Sequence, residues 1–356
     1  MIVLGIETSC DETAAAVVEE TRDAARPWRV RSNIVASQVD IHREWGGVVP
    51  ELSARQHIRD ICGVVERALS EANVDRYDAI AATQGPGLVG SLLVGLSLAK
   101  SLAWAHSVPL IPVHHLAGHI ESLVLDHGEM ALPAVVLVVS GGHTSLYRIE
   151  TRGAYELLGR TRDDAAGEAF DKVAKLLGLG YPGGPMIDRV ARAGNDRAVR
   201  FPKTRLTHAD RNAPELPGRR DFSFSGVKTS VLRYVTQRRT ELALMESDPL
   251  PVKEVADIAA SFQRVVVETL LDGLFDAARR YDAHSVGIAG GVSANGRLRA
   301  EAAARGAARG IPVAVPPLAL STDNAAMIAA AGLRRFRAGY VGGLDANADA
   351  SLPLTS

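Results

Sequence analysis

The sequence predicts an α/β protein of two lobes, each built on the same strand-and-helix unit, and three observations lead there. A chain of 356 residues with 47% hydrophobic content exceeds what one core usually holds, so two cores are expected. Residues 2–6, the polar turn 7–13 and residues 14–18 read as strand, turn and strand, and the pattern returns as 134–139, 140–144 and 145–149. Amphipathic helices follow each hairpin. In 51–73 they show as Ala54, Ile58, Ile61, Val65 and Leu69 at helical spacing, and 255–280 and 295–309 play that part in the second half.

Taken in order, Met1 leads at once into the apolar run 2–6 with no basic stretch or cleavage site, so the expectation is a cytoplasmic protein. Residues 79–99 carry no charge and have the length of a membrane span. Pro86 between Gly85 and Gly87 instead divides them into a buried strand, 79–83, and a buried helix, 88–106, that Lys100 interrupts, which points away from a membrane. Both hairpin turns are rich in small polar residues whose backbone N–H groups form concave anion sites, and Gly141 and Gly142 would let a phosphate approach the backbone. Chance recurrence of two glycine-containing hairpins is the competing account.

With 40 basic and 41 acidic residues the net charge is -1, which excludes a globally cationic nucleic-acid binder. Any RNA contact must come from a local patch. The richest is 189–220, where Arg189, Arg192, Arg197, Arg200, Lys203, Arg205, Arg211, Arg219 and Arg220 face only Asp196, Asp210 and Glu215. A solvated loop is the plain alternative. Cys10 and Cys62 are too few for a disulfide framework and too isolated for a thiolate zinc cluster, which suits a reducing compartment. Cys10 reads as a small packed residue rather than a nucleophile.

The most chemically suggestive segment holds His114, His115 and His119. On a helix His115 and His119 lie at i and i+4 on one face, about 6 Å apart along the axis, and can share a metal, while His114 points about 100° away. Hydrogen-bonded or solvated helix-face histidines are the equal alternative. Asp323, ahead of an expected helix, is the natural third ligand, with simple helix capping as its competing role. Two histidines and a carboxylate leave coordination positions open for reactivity. Ala117 and Gly118 stand where a zincin would carry its glutamate, so peptidase chemistry lacks its base.

A set of motifs then goes further. These are Gly-Ile-Glu-Thr-Ser-Cys-Asp-Glu-Thr at 5–13, Gly-Gly-Val-Val-Pro-Glu at 46–51, Gly-Pro-Gly-Leu at 85–88, His-Leu-Ala-Gly-His at 115–119 and Ser-Gly-Gly-His-Thr at 140–144. They continue with Gly-Glu-Ala-Phe-Asp-Lys at 167–172, Tyr-Pro-Gly-Gly-Pro at 181–185, Phe-Ser-Phe-Ser-Gly at 222–226, Gly-Gly-Val-Ser-Ala-Asn at 290–295 and Thr-Asp-Asn at 322–324. In this order over roughly 1–340 the chain resembles the tRNA N6-adenosine threonylcarbamoyltransferases, once grouped as O-sialoglycoprotein endopeptidases, and their bacterial branch most closely. Ser321 departs from the cysteine more usual before Thr-Asp-Asn, and 341–356 match nothing.

The resemblance implies an actin-like fold with duplicated RNase H-like domains and an interdomain cleft. The expected division is a first lobe of 1–113 joined by the helix at about 325–340, a second lobe of 114–324 and a mobile tail of 341–356. It implies one iron(II), or else zinc(II), on His115, His119 and Asp323, which act through the metal. It implies nucleotide contacts from Val138, Val139, Ser140, Gly141, Gly142, Asp171, Gly184, Asp188 and Asn295. The activity implied is transfer of threonylcarbamoyl from threonylcarbamoyl-AMP to N6 of adenosine 37 in tRNAs reading codons that begin with A. Partners are a paralogous, metal-free TsaB-like subunit and a small TsaE-like ATPase, with no membrane. A metal-dependent endopeptidase and an Hsp70-like nucleotide-driven binding module are the rival readings.

Overall fold

The computed structural model describes residues 1–204, 206, 220–245 and 248–354. The chain divides into two compact units, Met1–Ala131 with Ile149–Tyr155 and Ala314–Ser356, and Leu132–Arg148 with Glu156–Val313.

The first unit holds β1 (Ile2–Glu7), β2 (Glu12–Glu20), β3 (Trp28–Ser37), β4 (Ala79–Gly85) and β5 (Leu110–His114) in the order β3-β2-β1-β4-β5. β1 is antiparallel to β2 and parallel to β4, which is parallel to β5. Strand alternation sorts the two faces. Leu4 and Ile6 enter the core with Ile61, Val64 and Ala68 of the helix Pro50–Ala72 and with Leu96 and Ala99 of the helix Val89–His106. Val3 and Ala81 face the helix Ala325–Arg337. Among the described residues Val89–His106 is the one helix long and apolar enough to cross a membrane, and its Leu92, Leu96, Ala99 and Ala103 are buried.

Small residues seat Ala325–Arg337 close to its neighbours. A Cβ at Gly5 would lie 2.4 Å from the Ala325 carbonyl oxygen, one at Gly332 would lie 2.4 Å from the Ala81 Cβ, and one at Gly118 would lie 2.8 Å from Ile328 Cδ1. A buried ion pair adds to this, because Glu121 accepts from Arg334, at 2.9 Å for Nη2, and from Trp28 Nε1 at 3.1 Å.

The second unit holds β6 (Ala134–Val139), β7 (Thr144–Ile149), β8 (Glu156–Arg160), β9 (Ser285–Ala289) and β10 (Val313–Ala314), in the order β10-β9-β6-β7-β8. Read from their first strands, both sheets run third, second, first, fourth, fifth. The repeated hairpin of the sequence is therefore one topology used twice. β6 and β9 are parallel, so their carboxyl ends share an edge. The helix Val252–Arg280 packs on both strands, with Phe262, Leu270 and Leu274 fully buried.

Two boundaries differ from the sequence reading. The division falls at 131/132 rather than 113/114, because the helix after β5 packs on Ala325–Arg337 through Gly118 and the Glu121–Arg334 pair. The segment 314–324 also joins the first unit. The tail, expected to be mobile, is tied down through 354: Gly342 N–H donates to Leu110 O at 2.9 Å, Asp349 N–H donates to Gln84 O at 2.9 Å, and Leu354 is buried.

Candidate functional site

In the first unit the carboxyl ends of the parallel strands β1, β4 and β5 carry Glu7, Thr83 and His114. The chain turns directly from β5 into the helix His115–His127, which confirms the expected helix. His114 is its N-cap, with Nδ1 accepting the Leu116 N–H at 3.1 Å. His115 and His119 bring their ring centroids to 4.7 Å at 80° between planes. Asp323 Oδ1 lies 3.6 Å from His115 Nε2 and 3.2 Å from His119 Nε2. The cap of the following helix is Asn324, whose side chain accepts the Met327 N–H at 3.1 Å, so Asp323 is not used for capping.

One ligand atom from each of His115, His119 and Asp323 falls within 4.8 Å of the others. His119 is fully buried, yet neither ring nitrogen makes a hydrogen bond, and the approach of Nε2 to Asp323 lacks hydrogen-bond geometry. A buried imidazole left this way costs about 1–3 kcal/mol unless something else takes its lone pair. A cation between the three groups answers that need, and two nitrogens with one carboxylate oxygen form a donor set suited to iron(II) or zinc(II) with positions left open.

Glu7, Ser9 and Thr83 support the site and escaped the sequence reading as individual residues. His115 Nδ1 is 3.1 Å from Glu7 Oε2 and 3.2 Å from Ser9 Oγ, and Thr83 Oγ1 donates to Glu7 Oε2 at 2.6 Å. A carboxylate behind a metal-facing histidine fixes its tautomer and orientation. Burial opposes charge on His115, but Asp323 and Glu7 outweigh it and raise the imidazole to about 9. Burial also opposes ionisation of Glu7, and His115 outweighs it to keep the carboxyl below its ordinary range. Burial holds His119 below its usual 6.5. Two acids thus face two imidazoles, and the acids favour positive charge at this place. The signal available in sequence was a glutamate closing the apolar strand 2–6, in a position where a charge is normally excluded. Burial and Asp11 push the Cys10 thiol well above its usual range, as expected for an inert residue.

In the second unit, the residues expected to contact a nucleotide gather at the carboxyl ends of β6 and β9. The side chains of Val138 and Val139 are fully buried inside the sheet, so the reachable part of that stretch is Ser140 with exposed Gly141 and Gly142. A Cβ at Gly167 would lie 2.5 Å from Ser140 O, which places the start of the helix Ala166–Leu176 against this turn. Asp171 Oδ1 accepts the Gly183 N–H at 2.7 Å, at the start of the helix Gly183–Ala191. Asp188 accepts from Gln263 at 2.6 Å and from Arg192 at 3.2 Å. Asn295 caps the helix Gly296–Ala307, accepting the Leu298 N–H at 3.0 Å. Helix N-termini beside the carboxyl edge of parallel strands favour an anion. Gly141, Gly142 and Gly184 have ordinary backbone angles and open space where a Cβ would go, so neither strain nor packing demands glycine there. They leave the backbone open to close approach.

The basic stretch 189–220 is only partly described, and Arg205, Asp210, Arg211, Glu215 and Arg219 lie outside the described residues. Within the rest, Arg192 pairs with Asp188, Lys203 with Glu268 and Asp272, and Arg220 with Asp276. Within the described residues, part of the patch's positive charge is therefore matched by acidic neighbours.

A family model described as TsaD, tRNA N6-adenosine threonylcarbamoyltransferase, matches residues 29–330. The tRNA N6-adenosine threonylcarbamoyltransferase of Anaeromyxobacter dehalogenans strain 2CP-1 is 51% identical over 350 residues, covering 98% of each chain. That of Clostridium perfringens strain SM101 is 48% identical over 355 residues, covering 99% of this chain and 98% of the relative. Full-length HypF in its phosphate- and nucleotide-bound form superposes with a TM-score of 0.56 over 94% of this chain and 55% of that one, at 13% identity, a likeness of fold alone. The fold is thus the actin-like α/β one, with two sheets of one strand order. Matched from end to end by enzymes of a single kind, the chain belongs to the TsaD family and is a transferase that places threonylcarbamoyl on N6 of an adenosine in tRNA.

Proposed function

We propose that His115, His119 and Asp323 hold one metal ion per chain, iron(II) with zinc(II) as the alternative. The observation that carries this is the buried His119 ring, without a hydrogen bond, beside the other two donors. The donor is threonylcarbamoyl-AMP, whose nucleotide is received by Ser140, Gly141, Gly142, Asp171, Gly184, Asp188 and Asn295. The acceptor is adenosine 37 of tRNAs that read codons beginning with A.

When bound, the metal supplies Lewis acidity toward the threonylcarbamoyl oxygens. Glu7 and Ser9 hold His115 by Nδ1 and keep Nε2 turned toward Asp323. Gly141 and Gly142 admit the phosphate, the aspartates suit ribose hydroxyls, and Gly184 and Asn295 suit the purine. As the bond from N6 to the carbamoyl carbon forms, the bond from that carbon to the phosphate oxygen breaks, N6 gives up a proton and AMP departs. An exocyclic adenine amine is a weak nucleophile, so orientation carries much of the barrier reduction.

A TsaB-like paralogue without the metal site and a small TsaE-like ATPase complete the assembly in the cytoplasm, away from any membrane. Exposed Ile58, Val89 and Leu93 on the first unit's helices support a protein partner there. Arg189, Arg197 and Arg200 are the described residues best suited to tRNA phosphates.

The test is reconstitution with a threonylcarbamoyl-AMP source, the partner proteins and unmodified tRNA, followed by nucleoside analysis and elemental analysis. Wild-type protein should carry about one metal ion and form threonylcarbamoyladenosine, and His119→Ala should lose both. Wild-type modification by a metal-free His119→Ala protein would overturn the metal reading.

A further inference from the structure

We propose that residues 347–354 are a strap that positions the histidine helix, so that metal affinity at His115 and His119 depends on the C-terminal segment. The inference rests on the metal reading above and adds to it a part of the chain that carries no ligand.

Two routes lead from the strap to the His115 ring. The first runs through His114. Its Nδ1 is occupied as acceptor of the Leu116 N–H, so the ring proton sits on Nε2, which donates to the Leu352 carbonyl at 2.9 Å. One neutral, buried imidazole therefore joins the strap to the first turn of the helix that begins with His115. The second route runs along 84–88. Gln84 donates from Nε2 to Asn347 O at 3.0 Å and accepts the Asp349 N–H at 2.9 Å. A Cβ at Gly85 would lie 1.9 Å from the Asp349 carbonyl oxygen, so the strap occupies the space that glycine leaves. Two residues on, a Cβ at Gly87 would lie 2.6 Å from Ser9 O, which also accepts the Leu88 N–H at 2.8 Å. Ser9 Oγ then stands 3.2 Å from His115 Nδ1.

Asn347, Asp349, Ala350 and Ser351 are exposed, and the strap's apolar contribution lies mainly in Ala348, packed on the first unit's core, and buried Leu354. What the strap supplies is geometry at the two places where the His115 ring is held. Metal sites respond to such outer contacts by about 10–100-fold in affinity.

The experiment is cobalt(II) titration of the full chain, of a truncation after Ala346, and of His114→Asn and His114→Gln. Cobalt absorption bands report the ligand geometry as well as the affinity. Asn keeps an acceptor at the cap but is too short to reach Leu352, whereas Gln reaches Leu352 and loses the cap. Truncation and His114→Asn should each weaken cobalt binding at least tenfold and alter the bands in protein that still unfolds cooperatively, the truncation melting somewhat below the full chain because it loses Ala348 and Leu354. Adding His114→Asn to the truncation should add little, because the truncation already removes the Leu352 carbonyl that His114 reaches. A folded truncation with wild-type affinity and bands would overturn the strap. Full-length His119→Ala is the control for the metal reading. Hydrogen exchange of amides 115–119 tests the strap without metal: truncation should speed it, and unchanged protection would refute the strap even if the metal reading itself failed.

Discussion

Gly5→Ala is the substitution through which the seating of Asp323 can be tested most directly. Gly5 lies in β1, and a Cβ there would meet the Ala325 carbonyl oxygen at 2.4 Å and Ala329 at 2.8 Å. The first of these is backbone, so no side-chain rotation relieves the clash. Ordinary contact begins near 3.4 Å, so the helix Ala325–Arg337 must retreat by about 1 Å. Overpacking of this kind costs about 1–3 kcal/mol, or roughly 2–12 °C in melting temperature for units of this size. The effect on the site should be larger in proportion. Asp323 stands two residues before Ala325 and follows that helix, while metal–ligand distances tolerate only about 0.2 Å. A folded Gly5→Ala protein should therefore bind metal at least tenfold more weakly than wild type, measured by competition against a chromophoric chelator alongside a thermal melt. Gly118→Ala should do less, because its nearest neighbour is the flexible end of Ile328. If Gly5→Ala melted and bound metal as wild type does, close packing on β1 would not be what places Asp323.

Three further outcomes are expected. Asp171→Ala and Asn295→Ala should weaken binding of AMP, measured calorimetrically, while metal content stays intact; Asn295→Ala should also lose about 1 kcal/mol of stability with its helix cap. His115→Ala should show the reverse division, sparing much of the AMP affinity and abolishing transfer. Glu121→Ala should cost less than the about 3–5 kcal/mol of a fully stranded buried charge in a denaturant melt, since the mostly buried Arg334 guanidinium keeps Glu129 at 3.1 Å, and a change under 1 kcal/mol would show that the pair with Glu121 is not needed. For pH, burial lowers the His114 imidazole to about 4 against an ordinary 6.5. Above 6.5 both folded and unfolded chains hold it neutral, so it adds no pH dependence. As pH falls from 6.5 to 4 only the unfolded chain binds the proton, and metal-free protein should lose up to about 3 kcal/mol. His114→Asn should show a correspondingly shallower acid slope between pH 6.5 and 4, and an identical slope would refute the assignment.

Much of this architecture could be read from residue order. The repeat of strand, polar turn and strand foretold one sheet topology used twice, because strand alternation and turn chemistry are local properties. Pro86 between two glycines divided an uncharged stretch correctly into β4 and a helix, since proline punctuates regardless of what packs around it. The histidine pair was visible because i and i+4 fix a shared helix face. What sequence could not show was which residue each ligand leans on. Glu7 and His115 are far apart in the chain, and their meeting depends on β1, β4 and β5 lying side by side. The domain boundary was misplaced for the same kind of reason: Gly118 and Glu121 assign the histidine helix to the first unit only through contacts with residues beyond 320. The tail was misjudged because its anchors are backbone carbonyls, which leave no trace in side-chain composition.

The duplication also gives each unit the same kind of strand edge with different residues on it. In each unit the usable edge is the one where parallel strands end, and what differs is the residue placed just after them. β1 ends on buried Glu7 and β5 leads into the helix that carries His115 and His119, so that edge gathers anionic and lone-pair donors of the kind that suit a cation. After β6 it exposes Gly141 and Gly142 beside the start of the helix Ala166–Leu176, and after β9 the capped helix Gly296–Ala307 begins, so that edge gathers N–H donors and suits an anion. Sheet order alone would not separate these outcomes. The chemical character of each edge is set largely by the residues that end or follow its strands, among them the short turns by which the repeat was first recognised.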